Sequence, residues 1–281
     1  MKKTVIYADS TCDFPKNLIE RYNINIVPGI IIFGEDEKRD GITAYPDDIL
    51  DYYDQKKELP RTAATPPGDY VDIFEKETKD GNAVIVFNMS SKISCSYANA
   101  VIAAENYEDV YVIDSQNLST GIAYQVMDAA IMAENGVEAK KIAEKINEEK
   151  EKMNVSFIID TLEFLRKGGR CSALAALGAN LLKIKPCIEV LDGKMDSRKK
   201  YRGNLDAIHV EYINDRLEKI DEIDPKRIFI THSGVSEKRL DAIKKHIASF
   251  NHFEEIIENR AGCVVTTHCG RDTMGVICKL K

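Results

Sequence analysis

Short apolar runs alternate with segments of helical periodicity through the first half of the chain, and this alternation limits the possible folds more than any other feature. Four runs have the length and β-branched content of buried strands: Thr4–Ala8, Ile24–Phe33, Ala83–Asn88 and Val110–Asp114. Five segments have helical patterns: Phe14–Tyr22, Pro46–Lys57, Asp69–Thr78, Ser96–Glu105 and Gly121–Asn135. Alternating strands and helices of this length predict an α/β fold with a mainly parallel sheet covered by helices.

The second half of the chain adds hairpin signals. Asp192-Gly193 separates two strand-like runs, and an Asp-Gly pair is a strong signal for a tight β-hairpin. The predicted strands are Val155–Asp160, Cys187–Leu191, Lys194–Arg198, Arg227–Thr231, Glu254–Glu258, Cys263–Thr267 and Gly275–Lys279. The predicted helices are Val137–Met153, Leu162–Leu165, Ser172–Leu182, Leu205–Ile220 and Glu237–Phe250. This mixture predicts a second, smaller α/β domain with a mixed sheet, and we divide the 281 residues into domains 1–154 and 155–281.

Charge and cysteine content indicate the cellular compartment of the protein and the classes of partner that it can bind. The chain has 39 basic and 46 acidic residues, a net charge of −7, so its overall field does not draw it to nucleic acid. No stretch approaches the roughly 20 apolar residues that a membrane span needs, and the first apolar run predicts a strand rather than a secretory signal. Seven cysteines without a CxxC pair predict reduced thiols. We therefore expect a cytoplasmic protein that uses no metal and no cofactor.

Hydroxyl-rich turns follow three of the predicted strands. They are Asp9-Ser10-Thr11, Asn88–Ser96 and Asp114-Ser115. The carboxyl ends of parallel strands meet at one edge of a sheet, where ligands bind in a crevice. Helix N-termini at that edge present free N–H groups and a partial positive charge, which suit an anionic headgroup. A single Ser or Thr there is usually a helix cap, but four serines within Ser90–Ser96 exceed what one helix start needs.

Three further loops contain candidate functional residues. Two prolines and a glycine restrict the backbone of Arg61–Gly68, which either holds Thr62 in place or is simply a rigid turn. Leu165–Arg170 combines paired glycines with three cations, and Thr267–Gly270 contains the single histidine His268 in a predicted strand-end loop. The chain has no GxxxxGK[ST], GxGxxG, GxSxG or HExxH motif, which excludes the enzyme classes that depend on them.

Several short motifs, in chain order, resemble those of the DegV family. They are Ala8–Asp13, the Thr62 loop before Pro67-Gly68, Ser90–Ser94, Val112–Ser115, Leu165–Arg170, Ile184–Pro186 and Thr267–Gly270. The ordered set spans nearly the whole chain. This family includes the fatty-acid-binding subunits of bacterial fatty acid kinase. The resemblance therefore implies binding of a long-chain fatty acid such as palmitate, in lipid transport or fatty acid metabolism, and a separate kinase subunit that phosphorylates the bound acid.

The resemblance also implies roles for individual residues. The implied ligand-binding residues are Thr62, Ser94, Cys95, Ser96 and His268. Thr62 and Ser94 would hold the carboxylate, and His268 would lie near it. Arg170 and Arg202 would contact the headgroup or the kinase subunit. The first domain would then supply the carboxylate-binding loops, and the second would help to line the acyl pocket.

This chain departs from the family pattern at two places in the implied site. Cys95 stands where the family usually has a glycine, and Cys269–Asp272 replaces the usual Gly-Pro-Gly after the histidine. For the acyl chain itself, the small residues of Ser172–Leu182 can line a long apolar slot, or they can be ordinary core of a closely packed helix.

Two other functions fit the residues. Ser94 or Cys95 with His268 could form the nucleophile and base of a hydrolase or acyltransferase acting on a lipid-like ester, although the sequence shows no third, orienting group. A regulatory or protein-interaction module is the other alternative. The resemblance favours a ligand-binding protein that is not itself an enzyme.

Overall fold

Thirteen strands and ten α-helices form in the residues that the computed structural model describes, which are 2–169 and 184–281. The strands are β1 (Thr4–Asp9), β2 (Asn25–Val27), β3 (Ile30–Phe33), β4 (Asp36–Arg39), β5 (Arg61–Ala63), β6 (Ala83–Asn88), β7 (Val110–Asp114), β8 (Met153–Ile158), β9 (Ile184–Leu191), β10 (Lys194–Arg202), β11 (Arg227–Ser233), β12 (Glu255–Arg260) and β13 (Thr273–Lys279). The helices are α1 (Lys16–Tyr22), α2 (Pro46–Lys56), α3 (Pro67–Lys79), α4 (Ser96–Ala104), α5 (Thr120–Glu134), α6 (Ala139–Glu149), α7 (Glu163–Gly168), α8 (Leu205–Arg216), α9 (Glu237–Ala248) and α10 (Cys263–Cys269). None of these helices combines the length and the apolar character needed to cross a lipid bilayer.

The described residues form two units. The first comprises those within 1–45, 61–151 and 192–194, and the second those within 46–60, 152–191 and 195–281. The domains predicted from the sequence, 1–154 and 155–281, differ from these units mainly at two short segments. Residues 46–60 belong to the second unit, and residues 192–194 belong to the first. Each unit has its own main sheet and its own hydrophobic core.

The first unit is built on a parallel sheet in the order β2-β1-β6-β7. Helices α3, α4, α5 and α6 pack against β6, all six residues of which are buried. A strand covered in this way is apolar along most of its length, and β6 is apolar from Ala83 to Phe87 before it ends at Asn88. Because β1, β6 and β7 are adjacent and parallel, their last residues Asp9, Asn88 and Asp114 lie at the same edge. The predicted α/β fold with a mainly parallel sheet is confirmed.

A small antiparallel sheet, in the order β4-β3-β5, completes the first unit. The sequence predicted one or two strands over Ile24–Phe33. The structure has two, β2 and β3, in different sheets. Gly34, with φ +64°, makes the tight turn from β3 to β4. Neither β4 nor β5 was predicted, because β4 is fully charged and β5 has only three residues.

The second unit contains a mixed six-stranded sheet in the order β10-β9-β8-β13-β11-β12. Strands β11 and β12 are parallel, while β13 is antiparallel to both β8 and β11. Residues from this sheet and from α8 and α9 form its core, among them Ile213, Ile228 and Ile243. The predicted mixed-sheet second domain is therefore confirmed as a fold class.

Helix α2 belongs with the second unit although it lies in the first half of the sequence. Asp47 pairs with Arg260, and the Tyr53 ring lies 4.5 Å from the Phe164 ring, centroid to centroid. Helical periodicity shows that α2 has an apolar face, but not which sheet that face covers. The sequence therefore did not indicate that α2 belongs with the second unit.

The prediction of a strand over Cys263–Thr267 is wrong, because these residues form helix α10. Their β-branched content favours a strand. In the structure the hydroxyl of Thr267 donates a hydrogen bond to the carbonyl of Cys263 (2.8 Å), and the hydroxyl of Thr266 donates one to the carbonyl of Ala261 (3.3 Å). Packing of α10 against α2 and α7 decides the local conformation instead of intrinsic propensity.

Candidate functional site

Residues Ser90–Ser96, called the serine turn below, connect β6 to α4. The amides of Ile93 and Ser94 both donate to the carbonyl of Ser90, at 2.9 and 3.0 Å, so this segment forms one tight turn. Ser90 itself is completely buried, and its hydroxyl donates to the carbonyl of Gly193 (2.7 Å). The residues from 91 to 95 are partly or fully exposed. The serine turn thus has a fixed base and an accessible rim.

Ser94 connects the serine turn to the first turn of α4. Its Oγ lies 3.0 Å from Ser96 Oγ and accepts a hydrogen bond from the Ser96 amide (3.2 Å). Cys95 occupies the N-cap position without a side-chain capping bond, and it is exposed. The first amides of a helix have no intrahelical partner and carry partial positive charge. One of the two hydroxyls donates to the other, so the second hydroxyl and the unpaired amides of the first helical turn can donate hydrogen bonds to a carboxylate.

Two carboxylates from neighbouring strands fasten the serine turn. Asp114, at the end of β7, accepts from the amide and the hydroxyl of Ser91, at 3.1 and 2.6 Å. Asp9, at the end of β1, accepts from the amide of Met89 (2.8 Å) and from the hydroxyl of Thr11. The ends of three adjacent strands therefore cooperate in holding one turn.

Asp9 is the most deeply buried of these carboxyl groups, with 2% of its surface exposed. Burial raises the pKa of Asp9 to about 6, while hydrogen bonds from Thr11, the Met89 amide and Asn88 oppose that rise. Sequence reasoning treated Asp9 only as part of a strand-end turn. An acidic residue directly after an apolar strand was the available signal.

Thr62 lies in β5, where it pairs with Ile31 of β3, and is half-buried. Just beyond it, the carbonyl of buried Thr65 accepts a hydrogen bond from the side chain of Asn99 in α4 (2.8 Å). Since α4 begins at Ser96, this bond ties the segment after Thr62 to the helix that follows the serine turn. The structure therefore brings these two predicted hydroxyl-bearing segments into one region of the first unit.

A buried polar chain lies beneath this region. Asn88, at the end of β6, donates to the hydroxyl of Tyr70 (2.7 Å), and Tyr70 also hydrogen-bonds to Thr65. Both Asn88 and Tyr70 are completely buried, and burial holds the pKa of Tyr70 well above its usual value. The Tyr70 hydroxyl is therefore neutral at physiological pH. Neither Tyr70 nor Asn99 was predicted to have a role in the site.

His268 lies in the last turn of α10, in the second unit, and is half-buried. Its imidazole contacts Gly168 at the end of α7, where an added β-carbon would overlap Nδ1. Gly270 has φ +73°, and an added β-carbon there would lie 2.7 Å from the Phe164 ring. Close packing of α7 and α10 thus requires glycine at both positions. The predicted strand-end loop for His268 is wrong, because the preceding residues are helical.

The two predicted arginines differ in what the structure shows of them. Arg202 is exposed at the end of β10. The neighbouring Tyr201 is buried, and its hydroxyl donates a hydrogen bond to the Asp215 carboxylate (2.5 Å). Arg170 and Ser172–Leu182 lie outside the described residues. In the described ranges, no group of three or more His, Cys, Asp or Glu side chains is placed to hold a metal ion.

Comparison with known proteins decides the family. A family model described as an uncharacterised protein of the DegV family matches residues 3–280. The chain belongs to the DegV family. It is 30% identical over 274 residues to a DegV domain-containing protein of Clostridium perfringens, with 96% of each chain covered. It is 29% identical over 284 residues to a fatty acid-binding protein of Thermotoga maritima, with 97% of this chain and 96% of the relative covered.

A solved structure of the same family supports the fold. The structure describing fatty acid binding by a DegV family protein from Thermus thermophilus matches with a TM-score of 0.91 at 25% sequence identity. The match covers 99% of this chain and 100% of the other. The two-unit α/β architecture of this DegV chain is therefore that of its family.

Proposed function

We propose that this DegV chain binds a long-chain fatty acid such as palmitate and presents its carboxylate at the serine turn. The observation that carries this proposal is the pair Ser94 and Ser96, whose hydroxyls lie 3.0 Å apart at the start of α4. The similar proteins from Thermotoga maritima and Thermus thermophilus are both described by fatty acid binding. Thr62, tied to α4 through the neighbouring Thr65, is proposed as a further carboxylate ligand.

The chemistry of the headgroup region suits an anion that is not paired with a buried cation. Hydroxyls and helix-terminal amides can satisfy a carboxylate with charge-assisted hydrogen bonds. Such donors avoid the desolvation of a second charge, which a buried ion pair would require. The exposed Cys95 at the N-cap leaves this rim of the serine turn open to solvent. One carboxylate oxygen can then remain available for attack on a phosphate donor.

The acyl chain supplies most of the binding free energy. Burial of one methylene contributes about 0.8 kcal/mol, so the roughly fourteen methylenes of palmitate contribute on the order of 11 kcal/mol before association costs. The headgroup contacts then set orientation more than affinity. His268 is proposed as a further ligand-binding residue.

We further propose that the DegV chain leaves the chemical step to a separate kinase subunit. The Ser94 hydroxyl has another hydroxyl and a backbone amide as partners, and neither is a general base that would activate it. Arg202, which is exposed, and Arg170 are the proposed contacts with the headgroup or with that subunit. The proposed setting is fatty acid metabolism or lipid transport in the cytoplasm.

The decisive experiment is identification of lipid released from the purified protein. The wild-type chain is denatured and extracted with organic solvent, and the extract is analysed by mass spectrometry before and after incubation with palmitate. The Thr62→Ala/Ser94→Ala variant is treated in parallel, because it removes two proposed carboxylate ligands. We expect near-stoichiometric fatty acid in the wild type and a clear reduction in the variant.

A matched control removes two hydroxyls elsewhere. Thr43 and Ser249 are exposed and hydrogen-bond only locally, to Arg39 and His246 respectively. The Thr43→Ala/Ser249→Ala variant should retain the lipid. Absence of fatty acid from the wild type, even after incubation with palmitate, would contradict the proposal. Hydrolysis of a long-chain ester that is lost in His268→Ala would instead favour the hydrolase alternative.

A further inference from the structure

The base of the serine turn depends on a group that contacts the turn from beneath. Asp9 accepts a hydrogen bond from the Met89 amide (2.8 Å), directly before buried Ser90. Ser90 in turn accepts the amides of Ile93 and Ser94. A shift of Met89 therefore also shifts Ser90, and with it Ser94, whose hydroxyl is proposed to hold the carboxylate.

The charge of Asp9 is costly to the fold. The carboxyl group is 2% exposed, and burial raises its pKa to about 6. Because the pKa of an unfolded aspartate is about 3.9, the folded chain binds this proton more tightly than the unfolded chain does. Ionisation of Asp9 therefore lowers stability as pH rises from about 4 through about 6. A group that weakens the fold near neutral pH is a candidate for a functional role.

While Asp114 contacts the serine turn at Ser91, the residue directly before the turn, Met89, is held by Asp9. Tyr70 on α3 and Cys12 in the turn after β1 face it, and burial raises the pKa of both, so both are neutral near pH 7. Asp13 and Asp40 are the acidic groups beside Cys12. They accept hydrogen bonds from Ser119 and Ser10, respectively.

We propose that Asp9, as an ionised carboxylate, is a positioning residue that holds the serine turn in its carboxylate-binding geometry. The inference rests on the proposed function and deepens it. A carboxylate accepts hydrogen bonds from Met89 and Thr11 at once, one on each oxygen. Protonation places a hydrogen on one carboxyl oxygen, so the Thr11 hydroxyl must change from donor to acceptor or lose its bond, and the hydrogen bond from the Met89 amide is no longer charge-assisted. Ligand affinity then follows the ionised fraction of Asp9.

The test is titration of the delipidated full-length chain with palmitate at about pH 7.5 and about pH 5.5. With a pKa of about 6, nearly all Asp9 is ionised at the higher pH and about a quarter at the lower, so the apparent Kd of the wild type rises about fourfold. In Asp9→Asn this fourfold component disappears, and the Kd at the higher pH is about tenfold above that of the wild type. The ionisation of palmitate itself affects both proteins equally and cancels in the comparison.

Two further variants separate positioning from folding. Thr11→Val removes a hydrogen bond that lowers the pKa of Asp9, so the loss of affinity should begin at a higher pH than in the wild type. Glu77→Gln is the matched control, because Glu77 is a buried carboxylate that bonds to Tyr7 and Asn82 and has no bond to the serine turn. It should retain the wild-type dependence of palmitate affinity on pH.

The thermal stability of Asp9→Asn is measured as well. Asp9→Asn should unfold at no lower temperature than the wild type near pH 7.5.

The outcomes distinguish this inference from the proposed function. Wild-type binding that Asp9→Asn leaves unchanged at both pH values overturns the positioning role alone. A lower unfolding temperature for Asp9→Asn, together with an unshifted profile in Thr11→Val, also overturns it, because Asp9 would then be a structural residue. Failure of the wild type to bind palmitate at either pH overturns both proposals.

Discussion

The imidazole of His268 fills the space beside the Cα of Gly168, so that no β-carbon fits at position 168 without displacing the ring. Gly168 is the last residue of α7, and His268 lies in the last turn of α10. The His268 ring can therefore occupy this position only because residue 168 of α7 has no side chain. A substitution at Gly168 can therefore shift the His268 ring while the histidine itself is retained.

Gly168→Ala is expected to shift the His268 ring and to weaken fatty acid binding. The overlap of the new methyl group with Nδ1 must be relieved by movement of the ring or of α7, at a cost of about 1–3 kcal/mol of stability. If His268 lies near the headgroup, palmitate affinity should fall in Gly168→Ala and in His268→Ala alike. Titration calorimetry measures both.

The double variant Gly168→Ala/His268→Ala provides the control for this prediction. With the imidazole removed, the methyl group at position 168 has room, so the double variant should bind palmitate no more weakly than His268→Ala. Additive losses in the double variant would show that Gly168→Ala acts by another route.

Gly193→Ala is expected to disturb the serine turn through Ser90. Gly193 has φ +75°, and an added β-carbon would lie 2.5 Å from Ser90 Oγ, which donates to the Gly193 carbonyl. A positive φ alone costs an alanine about 1–2 kcal/mol. The overlap should add a similar amount and should lower palmitate affinity.

Gly34→Ala is the matched variant for Gly193→Ala. Gly34 has φ +64°, and an added β-carbon there meets no atom within 4 Å. Its urea unfolding midpoint should fall through backbone strain alone, with palmitate affinity unchanged. Equal losses of stability and equal affinities in the two variants would contradict a role for Gly193 in supporting the turn.

The edge of the parallel sheet was the part of the site most accessible from the sequence. Ala83–Asn88 and Val110–Asp114 were predicted with the bounds that β6 and β7 have in the structure. Buried parallel strands are apolar along their whole length and end at polar residues, so local composition defines them well. Their parallel order then places the serine turn and Asp114 at one edge without any knowledge of packing.

The parts that the sequence did not predict depend on distant contacts. Thr62 joins β5 because Ile31, in a strand much earlier in the chain, offers it a pairing partner. The run Cys263–Thr267 is helical because α10 packs on α2 and α7. Asp9 supports the serine turn only because β1 lies beside β6. None of these relationships leaves a pattern in the local sequence, and the roles proposed for Thr62, Ser94 and His268 remain predictions.

Cys95 is expected to report occupancy of the site. Among the cysteines that the structure describes, it alone is exposed, and it stands between Ser94 and Ser96. In a Cys171→Ser background, which removes the cysteine outside the described ranges, a thiol reagent such as dithiobis-nitrobenzoate should modify Cys95 readily. If the bound carboxylate covers the thiol, palmitate at about ten times its Kd should slow the reaction about tenfold. An unchanged rate at saturation would place the headgroup away from Cys95.

His209 is expected to make the protein less stable in mild acid. The residue is 1% exposed, and neither ring nitrogen has a hydrogen-bond partner among the described residues. Burial, and after it the charge of Arg239, lowers the pKa of His209 to about 4. An unfolded histidine has a pKa of about 6.5, so the unfolded chain takes up this proton first. The contribution of neutral His209 is therefore complete above about pH 6.5 and is lost as pH falls to about 4, by about 3 kcal/mol.

Replacement of the imidazole by an apolar group should remove this pH dependence. His209→Leu keeps much of the side-chain volume and cannot take up a proton, so its unfolding free energy should fall less steeply than that of the wild type between about pH 6.5 and about pH 4. Asp9 changes stability in the opposite direction over part of this range, since its raised pKa favours the folded chain at lower pH. Urea denaturation of His209→Leu in an Asp9→Asn background therefore isolates the histidine. If the slope against pH is the same with His209 and with Leu at this position, the buried imidazole is not the source of the acid sensitivity.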